Sequence, residues 1–315
     1  MTSKLILAMD IGGTQSRVAL IDSEAQILKR VSVPTEAGEG YKAVIKEIRK
    51  LVLKEEFSRI AGIGISIAGL LKADTGTLVY SPNMPGWVNV PIRRIFTDEF
   101  NIPVYVSNDA SLAALGEHRY GAAKGLDSFV YITVSTGIGG GMVLNGRLYL
   151  GADGYAGEVG HMTINPGGPV CSCGMRGCFE AMASGTAIAR DAKERIASGA
   201  TSIIGDMVGR DLEKVTAATV EQAARQGDEL AQDVMHQAAV NLGIGLSNLM
   251  IIFDPQAVVV GGGVTKSDDL IFDPARKTVA GRAGKYFAKD IPILKAALGD
   301  NVGLIGAAAF VYDNV

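Results

Sequence analysis

Hydrophobic and polar positions near the N-terminus predict three short β-strands. Within residues 4–33 an apolar run is followed by a glycine turn at 12–13, an alternating run over 17–21, a turn at 22–23 and a third strand. Residues 128–151, "SFVYITVSTGIGGGMVLNGRLYLG", repeat this order of strand, glycine turn and strand. The sequence therefore predicts two copies of one β-hairpin unit.

The two glycine turns are candidate phosphate-binding elements. A glycine turn lets backbone N–H groups approach an anion closely, and two turns facing each other across a cleft would hold a polyphosphate from both sides. Either turn alone is compatible with ordinary hairpin chemistry. Asp10 and Thr14 flank the first turn, whereas Ser135 and Thr136 flank the second, and this polar setting favours phosphate binding.

A third glycine cluster follows a predicted buried strand at 257–260. Glycines 261–263 at the carboxyl end of that strand would let a flat ligand such as adenine lie close to the backbone, although no GxGxxG with a following acid accompanies them. Helical periodicity over 43–57 and 221–243 adds helices between the strands. These patterns together predict an α/β protein with helices covering each sheet.

Length and charge narrow the class of protein. A chain of 315 residues exceeds the size of most single cores, so two lobes and a cleft are expected. The net charge of −3 and the lack of a basic run argue against nucleic acid or an anionic membrane as partners. The sequence has neither a signal-peptide pattern nor an uninterrupted apolar stretch of membrane-spanning length, and we expect a cytoplasmic protein.

All three cysteines of the chain lie within eight positions, at Cys171, Cys173 and Cys178. The glycines between them indicate a loop, and a reducing compartment disfavours a disulfide. With His161, ten residues upstream, they make a Cys3His set of the type that binds structural zinc. Reduced, unliganded loop cysteines are the alternative.

Two further groups of polar residues are candidates for chemistry. Asn108 and Asp109 follow a predicted strand and precede a helix, so one of them caps the helix, and Asp109 is either that cap or a general base. Glu158, His161 and Glu180 lie around the cysteine loop and suit a ligand with many hydroxyls. Solvated loop charges are the alternative for the two glutamates.

Several motifs in fixed order resemble those of one family. They are "DIGGT" at 10–14, "SND" at 107–109, "STGIGGG" at 135–141, "GEVGH" at 157–161, "CSCGMRGCFE" at 171–180 and "VVVGGGV" at 258–264. In these the chain resembles the ROK sugar kinases, most closely their glucokinase-like members. The resemblance implies a two-lobed actin/hexokinase-like ATPase fold of duplicated ribonuclease-H-like domains. It places a small N-terminal lobe at 1–112 plus 303–315 and a large C-terminal lobe with the zinc loop at 113–302.

The resemblance also implies roles for individual residues. Asp109 matches the catalytic base that activates the sugar 6-hydroxyl, and Asp10 matches the acid near Mg²⁺. Residues matching sugar contacts are Gly69, Asn83, Asn108, Asp109, Glu158, His161 and Glu180. Residues expected to bind ATP are Gly12, Gly13 and Thr14 in the first turn, Thr136, Gly137, Ile138, Gly139 and Gly140 in the second, and Gly261, Gly262 and Gly263 in the third cluster. His161, Cys171, Cys173 and Cys178 match the zinc ligands.

The implied activity is ATP- and Mg²⁺-dependent phosphorylation of glucose to glucose 6-phosphate. N-acetylmannosamine, N-acetylglucosamine, mannose or fructose are alternative substrates, because Ala68 stands where many members carry proline on the sugar side of the pocket. A non-catalytic sugar and nucleotide sensor is the alternative of another class. The family's repressors carry an N-terminal helix-turn-helix, for which a first strand at about Lys4 leaves no room. The family precedent for assembly is a homodimer or homotetramer.

Overall fold

The computed structural model describes residues 4–35, 40–282 and 291–315. The chain folds into two compact units. Unit 1 comprises Met1–Ser128, Gly141–Gly157 and Ala296–Val315, and unit 2 comprises Phe129–Gly140 and Glu158–Lys295.

Thirteen strands lie in the described residues. They are β1 (Leu5–Ile11), β2 (Gln15–Ile21), β3 (Ile27–Pro34), β4 (Ile60–Ile67), β5 (Leu70–Lys72), β6 (Thr77–Tyr80), β7 (Val88–Val90), β8 (Val104–Asn108), β9 (Phe129–Val134), β10 (Ile138–Leu144), β11 (Arg147–Leu148), β12 (Ala257–Gly261) and β13 (Ile293–Lys295). The first three strands confirm the pattern predicted for the N-terminus.

Ten α-helices lie in the same described ranges. They are α1 (Tyr41–Leu51), α2 (Ile92–Phe100), α3 (Asp109–Tyr120), α4 (Phe179–Ala183), α5 (Gly185–Ala197), α6 (Ile204–Met207), α7 (Ala217–Arg225), α8 (Glu229–Phe253), α9 (Asp273–Arg282) and α10 (Val302–Tyr312).

The main sheet of unit 1 has the strand order β3-β2-β1-β4-β8. Strands β1, β2 and β3 are antiparallel, whereas β4 and β8 run parallel to β1. The carboxyl ends of β1, β4 and β8 therefore lie at one edge of the sheet, where Asp10 is paired with Ser66 and Ile67 with Asn108. Polar side chains predicted to carry chemistry are thus brought to this edge.

Both faces of this sheet are buried under helices. On one face Leu7 and Met9 belong to a core that includes Phe96 of α2. On the other face Ile6 and Ala8 pack with residues of α3 and α10. A small antiparallel sheet, β5-β6-β7, is inserted between β4 and α2.

The second five-stranded sheet has the order β11-β10-β9-β12-β13, which repeats the order of the first when the strands are matched in sequence. In unit 2 the strands β9, β12 and β13 are parallel, as their counterparts β1, β4 and β8 are. The repeat predicted from the glycine turns is confirmed.

Three local predictions were wrong. The helix expected over 43–57 ends at Leu51. The helix expected over 221–243 is two helices, because Gly227 adopts a left-handed conformation with φ of +87° and Asp228 then caps α8. Gly139 and Gly140 lie inside β10 rather than in the turn, which covers 135–137.

Helix α8 is the longest helix of the described chain, with 25 residues. It is also the one described helix whose length and composition would allow it to cross a membrane, which is an exception to the expectation from the sequence. In the most apolar 18-residue stretch of α8, 56% is buried. The helix packs against α4, α5, α7 and α9. The central helix of a protein core meets the same criteria, so its composition has a structural explanation.

Candidate active site and metal centre

Asp10 is held at the carboxyl end of β1 by three neighbours. Its Oδ1 accepts a hydrogen bond from Ser66 Oγ at 3.0 Å, and its Oδ2 accepts one from Arg17 Nη1 at 3.3 Å. A β-carbon added to Gly303, in the first turn of α10, would lie 2.5 Å from Asp10 Cγ. Burial raises the pKa of Asp10, although Ser66 and Arg17 oppose the rise.

The glycine turn after β1 contacts the segment that follows β6. A β-carbon at Gly13 would lie 2.5 Å from the carbonyl oxygen of Asn83 and 2.6 Å from its β-carbon. Only glycine leaves room for this approach, so Gly13 brings the predicted phosphate turn and a predicted sugar contact together within unit 1.

Asn108, and not Asp109, is the N-cap of α3. Its Oδ1 accepts hydrogen bonds from the backbone N–H groups of Ala110 at 2.9 Å and Ser111 at 3.3 Å, and its Nδ2 donates to the carbonyl oxygen of Gly69 at 3.4 Å. Asp109 is the first residue of the helix and is partly exposed, and its Oδ1 accepts from the N–H of Ala110 at 2.9 Å. The choice that the sequence left open for the cap is thereby resolved.

Glu180 holds the turn between β9 and β10. Its Oε2 accepts a hydrogen bond from the N–H of Ile138 at 2.8 Å. A β-carbon at Gly137 would lie 2.2 Å from the same oxygen, so a larger residue there would displace the Glu180 carboxyl group from this position. The N–H groups of Gly185 and Thr186, at the start of α5, donate to the carbonyl oxygens of Ser135 and Thr136 at 2.7 and 3.2 Å.

The glycines after β12 lie beside the end of β9. Gly261 is paired with Thr133, and Gly262 has φ of +92° and such close contact with β9 that its β-carbon would lie 2.3 Å from the carbonyl oxygen of Val134. A β-carbon at Gly263 would meet no atom within 4 Å. Two glycine-rich segments therefore end at the same edge of the sheet in unit 2, which is where α/β proteins bind nucleotides.

The predicted metal ligands come together in unit 2. The donor atoms of His161, Cys171, Cys173 and Cys178 all lie within 4.8 Å of one another. Cys171 Sγ is 3.7 Å from His161 Nδ1, and Cys173 Sγ is 3.7 Å from Cys178 Sγ. A tetrahedral zinc ion with Zn–S bonds of about 2.3 Å separates its sulfur ligands by about 3.8 Å, so this donor set fits zinc.

The chemistry of the thiols supports the same conclusion. All three cysteines lie in the described part of the chain and none forms a disulfide. Burial raises the pKa of the Cys178 thiol to about 12, and the neighbouring sulfurs add to this rise, whereas a backbone hydrogen bond from Met175 lowers the pKa of Cys173. Zinc binds cysteine as thiolate and releases its proton, so three free, reduced thiols beside a histidine are chemically competent to hold the metal.

His161 connects the metal ligands to Glu158. Its Nδ1 faces Cys171, whereas its Nε2 lies 3.9 Å from Glu158 Oε2. The Glu158 side chain is 49% exposed, but partial burial of its carboxyl group raises the pKa of Glu158. The nearby His161 opposes this rise, and the Glu180 carboxyl adds to it. Gly160 packs so closely on Ile138 that its β-carbon would lie 2.0 Å from the carbonyl oxygen. The structure thus groups Glu158, His161 and Glu180 around the turn of unit 2.

The sequence did not reveal how Glu180 is used. Glu180 and Ile138 are 42 residues apart, and no local pattern marks a contact over that distance. The glycine at 137 was the available signal, because glycine before a strand indicates close approach of another group.

A duplicated sheet with a glycine turn after the first strand of each copy, and an acid at the strand ends, defines the class of actin/hexokinase-like ATPases. The chain belongs to the ROK family, whose model matches residues 6–314. The predicted family and fold are confirmed.

Known relatives include both enzymes and regulators. A glucokinase of Thermotoga maritima is 34% identical over 311 residues, covering 98% of each chain. A crystal structure of a ROK family glucokinase from Streptomyces griseus, in complex with glucose and AMPPNP, is similar with a TM-score of 0.82 and 33% identity, over 98% of this chain and 100% of that chain. A putative xylose repressor of a Caldicellulosiruptor species is 32% identical over 99% of this chain and 79% of its own length.

Proposed function

We propose that the protein is an ATP- and Mg²⁺-dependent hexose kinase that converts glucose to glucose 6-phosphate. The observation that carries this proposal is the likeness, over 98% of the chain, to a glucokinase in complex with glucose and AMPPNP. The local geometry at Asp109, the glycine turns and the Cys3His cluster is compatible with it.

In this proposal Asp109 is the general base. It takes the proton of the sugar 6-hydroxyl while that oxygen forms a bond to the γ-phosphorus of ATP and the bond from this phosphorus to the leaving ADP oxygen breaks. Because Asn108 caps α3, the position of Asp109 does not depend on a capping role.

Backbone N–H groups would hold the nucleotide. We assign the phosphates to the turns containing Gly12, Gly13 and Thr14 and Thr136–Gly140, and the adenine to the glycines at 261–263. Mg²⁺ is commonly bound by one or two carboxylates together with substrate phosphates, so Asp10 would hold it, and the ion would neutralise phosphate charge.

The hexose hydroxyls would be bound by Gly69, Asn83, Asn108, Glu158, His161 and Glu180. Zinc held by His161 and the three cysteines would fix the loop that carries His161.

We further propose the lobes 1–112 plus 303–315 and 113–302 predicted above, a cytoplasmic location, no nucleic acid or membrane partner, and a homodimer or homotetramer. Light scattering on the purified protein tests the assembly.

Turnover with a panel of sugars tests the substrate. ADP release is measured with ATP and each of glucose, mannose, fructose, N-acetylglucosamine and N-acetylmannosamine, and glucose is expected to give the highest kcat/KM. A preference of about tenfold or more for an N-acetylated sugar, which corresponds to about 1.4 kcal/mol, would refute the glucose assignment.

A sugar-responsive regulator is the second candidate, since a putative xylose repressor is 32% identical to the chain. Calorimetry separates the two functions. Glucose binding without ADP production above the background without sugar would favour the regulator, whereas glucose-dependent turnover excludes a purely binding role.

A further inference from the structure

Glu117 is a fully buried acid that has no part in the proposed chemistry. It lies in α3, two turns after Asp109. A buried carboxylate is unfavourable unless hydrogen bonds satisfy it, so its partners indicate why it is there.

Both oxygens of Glu117 accept hydrogen bonds from backbone N–H groups. Oε1 accepts from Ala297 at 3.0 Å and from Leu298 at 2.9 Å. Oε2 accepts from Ala122 at 2.7 Å and from Ala297 at 3.1 Å. The carboxylate therefore joins α3 to a segment 180 residues away in the sequence.

The segment that Glu117 holds leads directly into α10. The chain returns from unit 2 to unit 1 at Ala296, and α10 begins at Val302 after the short helical turn Gly299–Asn301. Glu117 thus binds the chain where it re-enters unit 1, shortly before the start of α10.

Helix α10 in turn packs against α3 and against Asp10. A β-carbon at Gly306 would lie 1.9 Å from the carbonyl oxygen of Leu112 in α3. A β-carbon at Gly303, in the first turn of α10, would lie 2.5 Å from Asp10 Cγ. A shift of α10 would therefore move the side chain of Asp10.

We infer that Glu117 is a positioning residue, and this inference rests on the proposed kinase function: by fixing the start of α10 to α3, it sets Asp10 relative to Asp109. Hydrogen bonds to an ionised acceptor are stronger than neutral ones, which suits a carboxylate for this task.

Glu117→Gln tests the charge and the second oxygen. Glutamine keeps one carbonyl oxygen but places NH2 against the remaining N–H donors. We expect kcat to fall by about 10- to 100-fold, as for displaced catalytic groups, while KM for glucose and for ATP changes by less than about threefold.

Gly121→Ala displaces the same carboxylate by another route. The β-carbon would lie 2.0 Å from Glu117 Oε2 and 2.9 Å from the Glu117 α-carbon. Because the backbone at Gly121 has φ of −120° and ψ of −146°, melting curves are recorded beside kcat for this variant. The same loss of kcat is expected although the carboxyl group is retained.

Val220→Ala is the control for lost stability. Val220 is fully buried in α7 of unit 2, outside the core cluster that joins α3 to α10, and its truncation lowers the melting temperature. Its kcat is expected to stay within about threefold of the wild type below the melting transition. If Glu117→Gln and Gly121→Ala lower only the melting temperature, or Val220→Ala loses as much kcat, Glu117 is merely structural and the inference is wrong.

Amide hydrogen exchange on the wild type covers the case in which Glu117→Gln does not fold. The amides of Ala122, Ala297 and Leu298 should be as protected as those of α3, and exchange at the rate of exposed loops would overturn the inference. A wild type that makes no ADP with any sugar refutes the proposed function instead. That outcome is distinct from an active wild type whose Glu117→Gln variant keeps its full kcat.

Discussion

The α-carbon of Gly13 lies so close to Asn83 that a β-carbon added there would meet the Asn83 carbonyl oxygen at 2.5 Å. The glycine turn assigned to phosphate and the segment assigned to sugar are therefore in direct contact within unit 1. Because the atom that would clash belongs to the backbone, neither side can adjust without moving its segment.

Gly13→Ala should accordingly impair the use of both glucose and ATP. We expect kcat/KM for glucose to fall by about 10- to 100-fold, since the turn and Asn83 are pushed apart. Gly205→Ala is the matched control, because a β-carbon there meets no atom within 4 Å. Steady-state kinetics of both variants decide the matter, and equal activity would show that the contact has no catalytic consequence.

Asp109→Ala should lower kcat by about 10²- to 10⁴-fold, the loss expected for a general base. Glucose binding, measured by calorimetry, should persist. Asn108→Ala is the structural comparison: it removes the cap of α3 and should cost about 1 kcal/mol of stability, whereas Asp109→Ala should cost less. Full turnover by Asp109→Ala would show that Asp109 is not the base.

Two substitutions at Glu180 separate its two contacts. Glu180→Gln retains an oxygen that can accept from Ile138, so KM for ATP should change little while KM for glucose rises by about tenfold. Glu180→Ala removes the support of the turn, and both KM values should rise. If the two variants behave alike towards ATP, Glu180 does not hold the nucleotide turn in place.

Asp10→Asn should stabilise the protein at neutral pH while lowering its activity. Burial raises the pKa of Asp10 in the folded state above its ordinary value of 3.8. The folded state therefore binds more protons than the unfolded state between 3.8 and the raised pKa, and stability falls as pH rises through that window.

Removing the charge should consequently raise the melting temperature at pH 7, and the gain should vanish below pH 3.8, where the acid is protonated in both states. Melting curves of wild type and variant across this range provide the check. A gain that is independent of pH would exclude the buried charge as its cause.

Cys178→Ser should lose zinc, because the ligand set then lacks one thiolate. We expect elemental analysis to find little zinc and the melting temperature and sugar affinity to fall together. Ser172→Ala, next to two ligands but outside the set, should retain the metal. Full zinc occupancy in Cys178→Ser would refute the assignment.

The hydrophobic pattern was sufficient for the three strands of each repeated unit, because each is a short apolar run bounded by a turn, but it did not predict β4, the β5-β6-β7 sheet or β13. It failed at residues 226–228, since the apolar spacing continues through Gly227 and hides the end of α7. Local propensity also placed Gly139 and Gly140 in a turn, although they lie in β10.

The site residues show the same difference between local features, which the sequence predicts, and contacts between distant segments, which it does not. The Cys3His set is local in sequence, with all four ligands within 18 positions, and it was found from spacing. The contacts of Glu180 with Ile138 and of Glu117 with Ala297 join distant segments, and only the fold reveals them.

The two copies of the sheet carry inserted segments at different positions. In the first copy β5, β6 and β7 are inserted after β4, and in the second a long segment with the metal ligands follows β11. The glycine turns belong to the repeated part, whereas Gly69, Asn83, Glu158 and His161 belong to the added segments. Adaptation to another hexose could thus proceed by exchanging residues in these two inserted segments, while the duplicated scaffold and its nucleotide chemistry are inherited unaltered.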